Sequence, residues 1–204
     1  MKVLMINGSA NKNGCTARAL AEIEKVLKES NIETEIIHLG PNPVKDCIGC
    51  LGCRKSGTNK CVFNDDIVNE IIEKAKTSDG FIFGSPVYYA HPSGRLLSVL
   101  DRVFYAGGKY FSYKPGAAVV SARRAGTTAS IDVINKYFTI NNMPVVSSMY
   151  WNMVHGSKAE DVEKDLEGLQ VMKIIGKNMV WMLNSLKQAQ HPAPEEKIKT
   201  SFIR

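Results

Sequence analysis

Four of the five cysteines in this 204-residue chain fall within fifteen positions, as Cys47-Ile48-Gly49-Cys50-Leu51-Gly52-Cys53 followed by Cys61. Two residues between successive cysteines let their sulfurs approach a shared centre, and Gly49 and Gly52 permit the tight backbone turns this needs. Such a thiolate set can hold a [4Fe–4S] cluster, bind zinc or work as a redox disulfide; the remaining reading is an unmetallated loop. Cys15 stands apart, in a segment of different chemistry.

That segment, Asn7-Gly8-Ser9-Ala10-Asn11-Lys12-Asn13-Gly14-Cys15-Thr16, is rich in glycine and hydroxyl groups and opens into a helical pattern. Free N–H groups at a helix start attract an anion, Ser9 and Thr16 offer hydroxyl donors, and Asn11 or Asn13 an amide donor. The segment lacks both a Gly-Lys-Ser/Thr ending and GxGxxG, so a monophosphate suits it better than ATP or NAD. An ordinary capped strand-to-helix turn is the plainer alternative.

Two more loops share the theme. In Gly84-Ser85-Pro86-Val87-Tyr88-Tyr89, proline shapes the turn, either tyrosine could pack on a planar ring, and main-chain amides around Val87 could reach its polar edge. Tyrosines covering a loop rim would read the same way. His91 could be a general acid, although a loop histidine beside proline is more often structural. Ala122-Arg123-Arg124-Ala125-Gly126 brings cations that could balance a reduced flavin or a pyridine-nucleotide phosphate, or could stay solvated. No coherent Ser/His/Asp set and no carboxylate pair is present, which disfavours hydrolysis.

These loops need elements to position them. Lys2 to Ile6 predicts a buried strand, and Leu20, Ile23, Val26 and Leu27 recur at helical spacing over about 15–30. Ile32 to Leu39 reads as a second strand, stopped by Gly40-Pro41-Asn42-Pro43. The cysteine loop then forms an insertion at 41–64, and Asn64-Asp65-Asp66 caps a helix running to about Lys76. Further strands are expected at Phe81-Ile82-Phe83, Ala117–Ser121 and Pro144–Met149, with helices over 94–103 and 127–138. A long helix over 160–186 should cover one sheet face through Val162, Leu166, Leu169, Met172, Ile175, Met179, Val180 and Leu183, with Trp181 also packing. Five strands alternating with helices imply an α/β, three-layer, doubly wound parallel sheet, with ligands at the strands' carboxyl ends. One domain is expected over 1–189, followed by a tail at 190–204.

With 44% hydrophobic residues, the chain can bury one sizeable core. Its net charge of +6 is compatible with a nucleotide phosphate or an acidic electron carrier, but no nucleic-acid-binding signature focuses that charge. No apolar run is long enough to span a bilayer, and Val3–Ile6 is too short for a secretory core, so the cytoplasm is expected. In that reducing setting, clustered cysteines favour metal or redox chemistry over a structural disulfide framework.

The Asn7–Thr16 loop, the Gly84–Tyr89 loop and the cysteine segment together resemble the NADPH-dependent FMN reductase family of the flavodoxin-like superfamily, particularly its iron–sulfur flavoprotein branch. The resemblance implies FMN, with its phosphate near Ser9, Asn11, Asn13, Gly14, Cys15 and Thr16. It also implies an isoalloxazine bordered by Pro86, Val87, Tyr88 and Tyr89, with Ala122, Arg123, Arg124 and Gly126 opposite. Cys47, Cys50, Cys53 and Cys61 match the branch's cluster ligands in order, with a long gap before Cys61. By the same resemblance the chain forms a homodimer or tetramer. Two functions follow. One is NAD(P)H-dependent reduction of flavin, quinone or another small acceptor; the other is electron transfer in which ferredoxin feeds the cluster.

Overall fold

The computed structural model describes residues 1–193 together with 195, 196, 198, 200 and 202. Strands β1 (Lys2–Asn7), β2 (Glu33–His38) and β3 (Gly80–Tyr88) form the first half of the sheet. The two-residue strand β4 (His91–Pro92) folds back antiparallel on β3, and β5 (Gly116–Ala122) and β6 (Met153–His155) complete the sheet. The parallel order is β2-β1-β3-β5-β6, the five-stranded doubly wound arrangement expected from the sequence.

Period-two alternation explains the two cores. Leu4, Ile6, Phe81, Phe83, Ala118 and Val120 face one side; Val3, Met5, Ile82, Ala117 and Val119 face the other. Because helices cover both faces, the central strands read as continuous apolar runs rather than alternating ones. The second face is covered by α1 (Cys15–Glu29). Within the cysteine segment lies the short α2 (Gly52–Lys55). Helices α3 (Val68–Lys76), α4 (Gly94–Gly107) and α5 (Thr127–Ile140) cover the first face; α6 (Ala159–Val162) and α7 (Leu166–Leu186) join α1 on the second. An aromatic cluster binds the first face together, with Phe83 and Phe138 stacked at 5.2 Å and Phe81 against Phe111 at 4.4 Å.

Several expectations are corrected. The last strand lies at Met153–His155 rather than Pro144–Met149. Val145 makes only an isolated bridge to Gly116, after which the chain loops out and rejoins the sheet, with Asn152 Nδ2 donating to the Val146 carbonyl at 3.2 Å. The apolar Pro144-Val145-Val146 run thus marks where the edge strand begins to approach the sheet, not its paired length. The C-terminal helix is broken: Asp165 accepts from Gly168 N at 2.9 Å and caps a new helix, α7. Leu166 and Trp181, read as packing residues, are 74% and 66% exposed. Asp66 does accept from Val68 N at 3.1 Å, beside the start of α3, but its carboxylate has a larger role described below. Of the tail expected at 190–204, residues 194, 197, 199, 201, 203 and 204 lie outside the described residues.

Candidate functional site

At the carboxyl ends of β1, β3, β5 and β6 lies an open cleft of about 360 Å³. Its floor is the loop from Ser9 to Thr16, which is tied down by a relay of side chains. Asn7 Oδ1 accepts from Ser9 N, Ser9 Oγ from Asn11 N, and Asn11 Oδ1 from Asn13 N, each at 3.1 Å. Beneath it, Ser93 Oγ donates to the Gly8 carbonyl at 2.8 Å, and His38 Nε2 lies 2.9 Å from the Ser9 carbonyl. Gly14 precedes α1 and supplies no side-chain cap, so the first-turn N–H groups face the cleft without a side-chain acceptor. Close packing brings α1 there: a Cβ on Gly84 would stand 2.8 Å from Thr16 Cγ2. Thr16, almost fully buried, then shares a 2.9 Å hydrogen bond with Ser121 on β5.

The walls come from three loops. Pro86, Val87 and Tyr88 form one, Ala122 and Arg123 another, and Gly156 with Ser157 a third. Ser157 N donates at 2.9 Å to Asp161 Oδ2, and this N–H holds the Asp161 carboxyl below its ordinary value. Burial pushes the Cys15 thiol up, against its own backbone hydrogen bonding, and the carboxylates of Asp161 and Glu160 add to the rise. Cys15 is therefore held as a neutral thiol in the floor of the cleft.

Of the residues singled out from the sequence, Ser9, Asn11, Gly14, Cys15, Thr16, Pro86, Val87, Tyr88, Ala122 and Arg123 line the cleft. Asn13, Tyr89, Arg124 and Gly126 do not. Asn13 braces Asn11 from behind. Tyr89 and Ala90 have positive φ and make the tip of the β3–β4 hairpin, and the Tyr89 side chain is fully exposed. Gly126, at φ +90°, leads into α5; a Cβ there would meet Ala90 Cα at 2.6 Å, so glycine lets the hairpin lie against the helix start. Ser121, Gly156 and Ser157 were missed. The last two follow β6 and were hidden by its misplacement, whereas Ser121, the penultimate residue of an apolar strand, could have been found by asking which hydroxyl points at Thr16.

The four clustered cysteines line a separate, narrow cavity, which shares no lining residue with the cleft. None of the five cysteines is joined in a disulfide. Leu51 and Gly49 adopt left-handed backbone, and a Cβ on Gly52 would lie 2.4 Å from Val62 Cγ1, so this glycine is required for Val62 to close over the turn. Side chains from α3 and α4 clamp both ends of the segment. Arg95 donates to the Pro41 and Asn42 carbonyls at 2.8 Å each, and Asn69 exchanges hydrogen bonds with Cys61 N (2.8 Å) and the Cys61 carbonyl (3.0 Å). Among the described residues, no three His, Cys, Asp or Glu side chains converge closely enough for a single metal ion.

Residues 1–158 match the NADPH-dependent FMN reductase family. An iron–sulfur flavoprotein of Methanocaldococcus jannaschii is 34% identical over 196 residues, covering 92% of this chain and all of the relative. The chain belongs to this reductase family, in its iron–sulfur flavoprotein branch. A second iron–sulfur flavoprotein, from Methanosarcina thermophila, is 29% identical over 192 residues, covering 92% of this chain and 98% of the relative. Among solved structures, RosB with the bound intermediate 8-demethyl-8-formylriboflavin-5'-phosphate shares the fold. It has a TM-score of 0.72 and 12% identity, covering 100% of this chain and 94% of that one. The reductase is thus an FMN-dependent oxidoreductase of flavodoxin-like fold, and among its described residues no helix is long and apolar enough to cross a membrane.

The cleft fits the family's cofactor. Its uncapped helix start, hydroxyl floor and largely backbone-shaped walls suit a phosphate-bearing planar ligand, and its volume falls in the range of small-molecule sites.

Proposed function

We propose that this reductase takes electrons from NAD(P)H and delivers them to a flavin, a quinone or another small acceptor, with FMN in the β1/β3/β5 cleft. The carrying observation is the uncapped start of α1 above the Ser9–Thr16 loop, which offers a phosphate both N–H groups and hydroxyls. Bound FMN supplies the exchange of one or two electrons, so no side-chain nucleophile is needed. Ser9, Asn11, Gly14, Cys15 and Thr16 hold the phosphate end. Pro86, Val87 and Tyr88 hold one side of the ring system; Ala122 and Arg123 hold the other, where the guanidinium balances negative charge. Asn13 and Gly126 fix the loops behind them, and Tyr89 and Arg124 form the rim through which donor and acceptor enter. Stoichiometric FMN after reconstitution supports this reading, and a folded protein that binds none overturns it.

The second reading, an electron carrier served by ferredoxin, is favoured by the cysteine cavity. Cys47, Cys50, Cys53 and Cys61 line one cavity and could together supply the four thiolates that an iron–sulfur cube takes. A [4Fe–4S] cluster there supplies one-electron exchange. Comparing anaerobic FMN reduction by NADPH, NADH and reduced ferredoxin separates the readings: rapid reduction by ferredoxin alone favours the carrier. A reducing cytoplasm, and assembly into a homodimer or tetramer with the exposed Tyr150, Trp151 and Trp181 available for contact, complete the proposal.

A further inference from the structure

One charged residue stands out from the apolar helix α4. Arg102 is 1% exposed, on a helix whose core face is Leu96, Val99, Leu100 and Val103, and a buried guanidinium is costly unless every donor is met. Here all five are. Nε donates to Cys61 Sγ at 3.2 Å; Nη1 donates to the Lys45 carbonyl at 3.1 Å and to Asp66 Oδ2; Nη2 donates to Asp66 Oδ1 at 3.1 Å and to the Phe63 carbonyl at 3.4 Å. Its Cζ also lies 5.1 Å from the Phe63 ring centroid. A guanidinium keeps its proton throughout the physiological range, so the charge set against Cys61 Sγ and Asp66 is permanent.

This network joins three parts of the cysteine segment: its start at Lys45, the sulfur of Cys61, and the Phe63–Asp66 stretch leading to α3. It also puts a fixed positive charge in the wall of a cavity otherwise lined mainly by cysteines and apolar side chains. A thiolate that accepts a guanidinium N–H loses electron density to it, and a nearby cation stabilises whichever state of the bound group carries more negative charge. Asp66 acts oppositely, partly cancelling the cation.

We infer that Arg102 is a positioning residue that holds Cys61 as a ligand and raises the reduction potential of the group bound by the four cysteines, with Asp66 trimming that effect. The inference rests on reading these cysteines as [4Fe–4S] ligands. Its signature is a pair of shifts of opposite sign, which a purely structural role would not produce.

The test uses anaerobically purified full-length protein as wild type, Arg102→Gln, Arg102→Lys and Asp66→Asn. Iron, acid-labile sulfide and circular dichroism are measured, with a dithionite titration followed by electron paramagnetic resonance. At a fixed solution potential, Arg102→Gln should lower the reduced-to-oxidised ratio by about tenfold, ~59 mV for a one-electron couple. Asp66→Asn should raise the ratio, and Arg102→Lys, which keeps the charge without the fork, should fall between Arg102→Gln and wild type. Loaded variants with unmoved potentials, or shifts of the same sign, overturn the inference while leaving the cluster reading intact. Where Arg102→Gln does not load, the Asp66→Asn potential decides: a raised value supports the inference, and an unmoved or lowered one overturns it. Wild type that yields neither iron nor sulfide overturns the cluster reading, and this inference with it.

Discussion

The two cavities are built on opposite plans. The cleft is made of strand ends and helix starts whose positions follow from the buried sheet, so its shape comes with the fold. The cysteine segment has almost no regular structure, is largely exposed, and is held by side chains reaching out from α3 and α4: Arg95, Asn69 and Arg102. A site on the scaffold is preorganised by packing, whereas a site on a clamped loop depends on a few polar contacts. Damage to the sheet should therefore remove the cleft, while damage to the loop should leave it intact.

The largest effect is expected from Phe83→Ala, which empties the stack against Phe138 at the centre of the first core. Chemical denaturation should show a loss of about 3–5 kcal/mol, accompanied by weaker FMN binding. A smaller and more local change is Thr16→Val, which keeps the side chain's shape but leaves the Ser121 hydroxyl without its partner. It should cost about 1 kcal/mol and weaken FMN binding by up to about tenfold in fluorescence titration, with no change in iron content. Unchanged affinity would mean that the Thr16–Ser121 contact does not shape the phosphate floor.

The smallest effect concerns the scaffold that carries the loop. Glu35 on β2 pairs with Lys2 at 2.8 Å and with Lys74 of α3 at 2.5 Å, and these lysines hold its carboxyl below the ordinary range. Its contribution is fully present above the unfolded carboxylate value of about 4.3 and is lost as pH falls through the lower folded value. Glu35→Gln should thus be less stable than wild type by under about 1 kcal/mol at neutral pH, and the gap should close in acid and shrink with salt. Urea denaturation at several pH values checks the sign, since a gap that widened in acid would contradict it.

Much of the scaffolded cleft was legible in the sequence because its signals are local: an apolar strand, then a loop of glycines and hydroxyls, then a helical stripe. What was not legible depended on distance or on an interrupted edge. Val145 and Val146 look like the middle of a strand, yet only the bridge to Gly116 is paired, and the loop bearing Gly156 and Ser157 was lost with the misplaced strand. Asp165 inside a helical pattern gave no sign that it would cap a new helix. Arg102 reads as one more polar residue on α4, because its partners Cys61 and Asp66 are 41 and 36 positions away. The cysteine spacing pointed to a metal site but not to the cation in its wall.

The contrast between a scaffolded cleft and a clamped loop is tested most directly by changing Cys47, Cys50, Cys53 and Cys61 together to serine. FMN, iron and sulfide would then be measured per chain in this variant and in wild type, both purified anaerobically and reconstituted. Full FMN in both proteins, with iron and sulfide in wild type alone, is the expected result. Loss of FMN from a folded serine variant, or a folded wild type that binds no FMN, would contradict it.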